Sequence, residues 1–297
     1  MIVLKTNELC KKYGNHLVVK NVNLRINEGD IYGFVGENGA GKTTVIRLVS
    51  GLIKATSGEY TLFEGKALPV GSIGAIVENP SVYPYLTAVE NVKQQYMLLG
   101  RTDYSSINDL LLKVGLGDVI NSPKKASNFS LGMKQRLGIA LILVGEPKLL
   151  ILDEPMNGLD PEGIVEMRNL IIRLNREHNI TFLISSHLLD ELSKVVTRYG
   201  FIHHGELVKE ISATEVESLG RKRWALKLNT TSGIEKTLKS KIKEFEVLSE
   251  NDLVIYDDLK AKDIIQLLSN AEFEVNEINS MTDGIETFYL NLIGRNK

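Results

Sequence analysis

The chain has 297 residues, of which 43% are hydrophobic and 24% charged, and its formal net charge is −2 at pH 7. This composition is that of a globular protein with room for one large α/β domain and a smaller appendage, and its near-neutral charge argues against a nucleic-acid partner. The single cysteine, Cys10, excludes an internal disulfide and indicates a reducing compartment.

Apolar runs alternate with helical patterns up to about residue 210, which predicts an α/β core. Residues 30–35 have the pattern of a buried strand, and residues 42–49 that of a helix. The continuous apolar runs at 149–152 and 181–184 are typical of central parallel strands.

These apolar runs are shorter than the ~20 residues that a membrane helix needs. The first eight residues also lack the basic and apolar regions of a signal peptide. We therefore expect the chain to reach any membrane through a partner.

The character of the sequence changes between residues 212 and 223, where a polar stretch ends in three basic residues. Beyond it, Trp224, Leu226 and Leu228 alternate with other residues, which predicts a half-buried strand. Apolar residues at helical spacing over 234–242 follow, and the runs 253–256, 263–268 and 273–275 predict strand, helix and strand. We predict a first domain over residues 1–215 and a small C-terminal α/β domain over 222–297.

A glycine-rich segment between the first predicted strand and helix matches the phosphate-loop pattern G-x-x-x-x-G-K-[ST]. Its glycines let successive N–H groups point at phosphate oxygens, and the helix N-terminus adds positive potential. Lys42 would contact the β- and γ-phosphates, and the hydroxyl of Thr43 would ligate Mg²⁺. The alternative is an ordinary glycine-rich turn. The predicted nucleotide-binding residues here are Gly36, Glu37, Asn38, Gly39, Ala40, Gly41, Lys42, Thr43 and Thr44.

Two acids, Asp153 and Glu154, end the apolar run at 149–152. A strand parallel to the one before the phosphate loop would bring both beside the metal ion. Asp153 could then hold Mg²⁺, and Glu154 could orient or deprotonate the attacking water. The alternative is a solvated strand end. His187 follows another predicted strand, and its candidacy as a catalytic residue rests on that position, where α/β sites assemble.

Together these elements resemble the ATP-binding subunits of ABC transporters, over roughly residues 2–210. The segment around Ser130 looks like the signature sequence of that family. Ser130 and Gly132 match its most informative positions, whereas Leu131 and Met133 replace a glycine and a glutamine. The resemblance implies that this segment contacts the γ-phosphate of ATP held by the other subunit, and hence a head-to-tail homodimer with two ATP molecules.

Further positions follow from the same resemblance. Residues 156–161 look like the D-loop, His187 falls at the switch histidine, and Tyr13 is where a ring stacks on adenine. Glu78 stands where most of the family has a glutamine metal ligand. A carboxylate oxygen suits Mg²⁺ at least as well as an amide oxygen. The alternative is that Glu78 is simply exposed.

The residues Glu78-Asn79-Pro80 and the divergent signature resemble the subgroup that serves bacitracin and lantibiotic resistance. The resemblance implies an ATP-hydrolysing subunit on the cytoplasmic face of the membrane, which powers a separate permease through a surface near residues 79–92. One alternative is a soluble ABC ATPase acting on ribosomes or DNA, although such proteins usually carry two motor domains or a long coiled coil. A non-hydrolysing scaffold conflicts with Glu154 and His187, and a GTPase would have no use for the signature.

Overall fold

The computed structural model describes residues 1–219, 222–239, 241–242, 244–257, 259–282 and 285–294. The chain divides into two compact units, Met1–Ala213 and Thr214–Lys297. The strands of the described residues are β1 Ile2–Tyr13, β2 His16–Val22, β3 Arg25–Asn27, β4 Ile31–Val35, β5 Ser57–Leu62, β6 Ile73–Ile76, β7 Leu149–Asp153, β8 Thr181–Ser186, β9 Arg198–His203, β10 Glu206–Ser212, β11 Lys222–Leu228, β12 Phe245–Val247, β13 Asp252–Ile255 and β14 Val275–Thr282.

The α-helices of the same residues are α1 Lys42–Val49, α2 Ala88–Leu98, α3 Ile107–Lys113, α4 Leu131–Leu143, α5 Pro161–His178, α6 Leu189–Ser193, α7 Ala213–Leu219, α8 Ile234–Leu238, α9 Ala261–Ser269 and α10 Ile285–Gly294. Short 3₁₀ turns occur at Phe63–Gly65, Gly117–Val119 and Ala126–Asn128. Within the described ranges, none of the helices combines the length and the apolar character that crossing a bilayer requires.

A six-stranded sheet in the order β10-β9-β4-β8-β7-β6 forms the centre of the first unit. All of its neighbours pair in parallel except β10, which is antiparallel to β9. Every residue of β4, β7 and β8 is buried, which explains the apolar runs that make up most of each strand. Parallel pairing brings the carboxyl ends of β4, β7 and β8 to one edge, and the residues that follow these strands meet there.

An antiparallel sheet packs against the central one and fixes α1 between them. Its order is β2-β1-β3, with β5 also paired to β1. One apolar cluster joins Leu4 and Leu9 of β1, Ile46 of α1, and Phe34 and Leu183 of the central sheet. Because α1 follows β4 directly, this packing also holds the loop between them.

The helix α2 begins with a reciprocal cap between Thr87 and Glu90. The Thr87 hydroxyl accepts a hydrogen bond from the Glu90 N–H at 3.2 Å, and the Glu90 carboxylate accepts one from the Thr87 N–H at 2.7 Å. That backbone bond, followed by the hydrogen bond from Lys125, lowers the pKa of Glu90. The cap satisfies N–H groups that the helix cannot pair itself.

Thr87→Ala should lower the free energy of unfolding by about 1 kcal/mol, because it removes this cap. Urea denaturation followed by circular dichroism would measure the change. Thr87→Ser is the matched control, since it keeps the hydroxyl and should stay close to the unmutated chain. Equal losses in the two variants would contradict a role for the cap.

The second unit has a four-stranded sheet in the order β12-β13-β11-β14, with all pairs antiparallel. Its core joins Leu226 of β11 to Leu238 of α8 and Ile264 of α9. The predicted strand at 224–228 and helix at 263–268 correspond to β11 and α9.

The last predicted strand is shifted along the chain, because β14 begins only at the end of the run 273–275. The polar stretch after residue 212 contains α7, which the sequence analysis did not predict. The domain limits at 1–215 and 222–297 stay predictions.

Candidate nucleotide-binding site

The loop between β4 and α1 has the backbone conformation that its glycines permit. A Cβ atom on Gly36 would lie 2.4 Å from the carbonyl oxygen of Ile202, so no side chain fits there. Gly39 and Gly41 have φ angles of 83° and 107°, a region that favours glycine. Gly41 is the N-cap of α1, and no side chain caps this helix. The N–H groups at the start of α1 are therefore suited to bind phosphate oxygens.

Lys42, the first residue of α1, directly follows this loop and is only 6% exposed. Its Nζ donates hydrogen bonds to the carbonyl oxygens of Gly36 at 2.6 Å and Glu37 at 3.3 Å. The same Nζ lies 3.4 Å from Oε1 of Glu154, which follows β7. The Lys42 ammonium group thus connects the phosphate loop with Glu154 at the carboxyl end of β7.

Ser185, at the carboxyl end of β8, holds the two acids that follow the apolar part of β7. Its hydroxyl donates to Oδ1 of Asp153 at 2.5 Å and accepts a hydrogen bond from the Glu154 N–H at 3.0 Å. This role of Ser185 was not predicted from the sequence. A signal was available, because a buried apolar strand that ends in Ser185 and Ser186 places polar groups at the edge where the site assembles.

Glu154 lies between Lys42 and His187. Its Oε2 is 2.8 Å from Nδ1 of His187 and accepts a second hydrogen bond from the His187 N–H at 3.3 Å. The backbone of Glu154 has a φ of 51°, an uncommon conformation for a non-glycine residue and one often found at functional sites. The structure therefore brings Lys42, Glu154 and His187 into one connected group.

The residues suggested as metal ligands do not all have the same surroundings. Asp153 is 3% exposed, and no cation pairs with it among the described residues. A buried carboxylate of this kind fits a divalent cation, as does the half-buried hydroxyl of Thr43. Glu78 is ion-paired with Arg47 of α1, a partner that was not predicted from the sequence, and its role as a metal ligand stays a prediction.

In the described part of the chain, no group of three or more His, Cys, Asp or Glu residues could hold a metal ion. Mg²⁺ does not need such a cluster, because it usually keeps several waters and binds through one or two protein oxygens and substrate phosphates. Thr43 and Asp153 suit this type of site.

The predicted signature segment begins α4. Ser130 is the N-cap, and its hydroxyl accepts a hydrogen bond from the Met133 N–H at 3.2 Å. A Cβ atom on Gly132 would lie 3.7 Å from the side chain of Leu159, and one on Gly158 would lie 3.2 Å from Leu131. The start of α4 thus packs against the predicted D-loop of the same chain.

Tyr13 ends β1 and is half-exposed, with Lys11 Nζ 5.1 Å from the centre of its ring. Within the described residues, neither Tyr13 nor Ser130 shares a hydrogen bond with Lys42, Glu154 or His187. A nucleotide contact by Tyr13 or by the signature segment stays a prediction.

A mainly parallel sheet with a phosphate loop after β4, two acids at the end of β7, a histidine after β8 and a signature-like segment at the start of α4 is the arrangement of an ATPase of the ABC class. The model of the family described as ABC transporter matches residues 19–157. The chain belongs to the ATP-binding proteins of ABC transporters, which confirms the predicted family, fold class and ATPase activity.

Two relatives illustrate this membership. The bacitracin transport ATP-binding protein BcrA of Bacillus licheniformis is 40% identical over 300 residues, covering 98% of this chain and 97% of the relative. The lantibiotic transport ATP-binding protein SrtF of Streptococcus pyogenes is 45% identical over 211 residues, covering 70% of this chain and 90% of the relative.

Solved structures share the fold of most of the chain. The ATP-binding cassette MJ0796, in a dimeric post-hydrolysis state bound to ADP and Pi, has a TM-score of 0.62 and 26% identity, and the match covers 71% of this chain and 98% of that one. The subunit cbiO1 from Clostridium perfringens has a TM-score of 0.65 at 24% identity, covering 81% of this chain and 95% of that one.

Proposed function

We propose that this chain is the Mg²⁺-dependent motor of an ABC transporter that moves antimicrobial peptides of the bacitracin or lantibiotic kind through a separate permease. The observation that carries the motor function is the position of Glu154 between Lys42 and His187. The substrate class is supported by the identity to BcrA over nearly the full length of both chains.

Each member of this group has a role in hydrolysis. The N–H groups of the phosphate loop bind the phosphates, and Lys42 neutralises charge on the β- and γ-phosphates. Glu154 orients the attacking water and accepts its proton. His187 holds the Glu154 carboxylate in place through two hydrogen bonds. Mg²⁺, when held by Thr43 and Asp153, would supply further neutralisation of phosphate charge.

Two subunits would work head to tail, so that Ser130 and Gly132 of one reach the nucleotide held by the other. The structure of MJ0796 as a dimer supports this arrangement. Closure on ATP and opening after hydrolysis would then drive the permease from the cytoplasmic face of the membrane.

The surface proposed to contact the permease is the segment 79–92. Tyr85 is 83% exposed, and Tyr83 is also exposed. The buried side chain of Asn91 holds this segment, because its Nδ2 donates to the carbonyl oxygens of Tyr83, Leu86 and Thr87. Exposed aromatic rings on a segment that hydrogen bonds from Asn91 hold in place are suited to contact a protein partner.

Cells that lack this protein should become several-fold more sensitive to bacitracin or to a lantibiotic, because export of the peptide would stop. Minimal inhibitory concentrations would measure the effect. The unmutated gene should restore resistance and Lys42→Ala should not, while sensitivity to an antibiotic that acts inside the cell stays constant. Full resistance in the deletion strain to every peptide of this kind would contradict the substrate class and leave the ATPase assignment intact.

A further inference from the structure

Glu78 lies at the same edge of the central sheet as the two acids at the end of β7. β6 pairs in parallel with β7, and Ile76 is opposite Leu152. Continuing along the chain from this pair by two residues on each side leads to Glu78 and to Glu154, which follows the last residue of β7, Asp153. The backbone of Glu78 has a φ of 66°, so the chain turns out of the strand direction at this residue.

Three carboxylates therefore stand at the edge where the proposed nucleotide site lies. Glu154 already has Lys42 and His187 as neighbours, and Asp153 is suited to the metal ion. Glu78 has a different partner, because the guanidinium of Arg47 donates a hydrogen bond to its Oε1. Arg47 belongs to α1, the helix that carries Lys42 at its first position. One helix thus supplies the cation of the phosphate loop and the cation that faces Glu78.

We propose that Arg47 is a positioning residue for ATP binding, which neutralises Glu78 and holds its carboxylate against α1. The inference rests on the proposed nucleotide site. An unpaired carboxylate at this edge would repel the triphosphate, which carries several negative charges. With Arg47 in place, the chain keeps an acid at residue 78 without this repulsion.

The size of the effect follows from the distance over which these charges act. At about 10 Å in water, one charge changes the affinity of a triphosphate by about threefold to tenfold, and salt reduces the effect because the screening length is of the same size. The side chain of Arg47 is 38% exposed and that of Glu78 is 59% exposed. Exposed ion pairs contribute little to folding stability, so we expect the change in nucleotide binding and not in thermal unfolding.

The test measures dissociation constants for Mg²⁺-free ATP and ADP by calorimetry on the full chain, at low and high salt. Arg47→Met should weaken ATP binding about threefold to tenfold at low salt, and ADP binding less, since ADP carries less charge. The double variant Arg47→Met with Glu78→Gln should bind ATP as tightly as the unmutated chain. Arg47→Lys should keep most of the affinity.

Arg101→Met is the matched control. Arg101 pairs with Glu146 at 2.7 Å, and its side chain is 37% exposed, close to the value for Arg47. Glu146 precedes β7, so this pair lies at the opposite end of that strand from Asp153. Arg101→Met should leave ATP binding unchanged.

The outcomes separate this inference from the proposed function. If Arg47→Met binds ATP normally, or if the double variant binds as weakly as Arg47→Met, Arg47 does not act by neutralising Glu78. If Arg47→Met and the double variant both bind ATP as tightly as the unmutated chain while Lys42→Ala loses ATP binding, only the proposed role of Arg47 is wrong. An unmutated chain that binds no ATP would overturn the proposed function together with this inference.

Discussion

Glu154→Gln is expected to slow ATP hydrolysis by about 10²- to 10⁴-fold while leaving ATP binding nearly unchanged. A glutamine oxygen can still accept the two hydrogen bonds that Glu154 accepts from His187. It cannot take the proton of the attacking water. ATP should therefore stay bound, and the chain should accumulate as an ATP-stabilised dimer. Release of inorganic phosphate measures the rate, and light scattering with and without Mg²⁺-free ATP measures the dimer.

The control for this variant is Glu177→Gln, which makes the same change at an exposed position of α5. It should hydrolyse ATP at the normal rate. Normal hydrolysis by Glu154→Gln would contradict the role of Glu154 as the base. Slow hydrolysis without a dimer would instead contradict ATP-driven closure of two isolated subunits and indicate that closure needs the permease.

Lys42→Ala is expected to abolish turnover and to weaken ATP binding by roughly 1.5 to 3 kcal/mol, the usual contribution of a hydrogen bond to a charged group. The substitution removes the cation that contacts the carbonyl oxygens of Gly36 and Glu37, and it leaves the Glu154 carboxylate facing the phosphates without a nearby ammonium group. Nucleotide titration by calorimetry would measure the affinity, and phosphate release the turnover.

Lys148→Ala serves as the control, because Lys148 is exposed and precedes β7 at the end of the strand away from Asp153. It should bind and hydrolyse ATP normally. A normal hydrolysis rate in Lys42→Ala would contradict the assignment of the phosphate loop.

The central part of the fold was predictable because its strands are buried on both faces. Residues 149–152 and 182–184 are apolar without interruption, and the structure places them in β7 and β8. The phosphate loop was predictable from the spacing of its glycines and lysine. Parallel pairing of the strands then brought Glu154 and His187 within hydrogen-bonding distance of each other.

Other features depend on contacts between distant parts of the chain and could not be predicted. β12 is three residues long and carries Glu246 between two apolar residues, so it has too little pattern to indicate a strand. The same holds for α7, whose polar sequence suits either a helix or a loop. The pairing of Arg47 with Glu78 depends on how α1 lies beside the end of β6, which sequence spacing does not encode.

The contact between Pro80 and α4 restricts how the segment after β6 can move along this helix. A Cβ atom on Gly138 would lie 2.4 Å from Cβ of Pro80, so the proline ring sits directly on the helix backbone. Sliding α4 along its axis by one turn would bring Leu141 or Ile142 to this point, where no space exists for a larger side chain. Gly138 and Pro80 therefore block lengthwise sliding of the signature helix past the segment that contains Pro80.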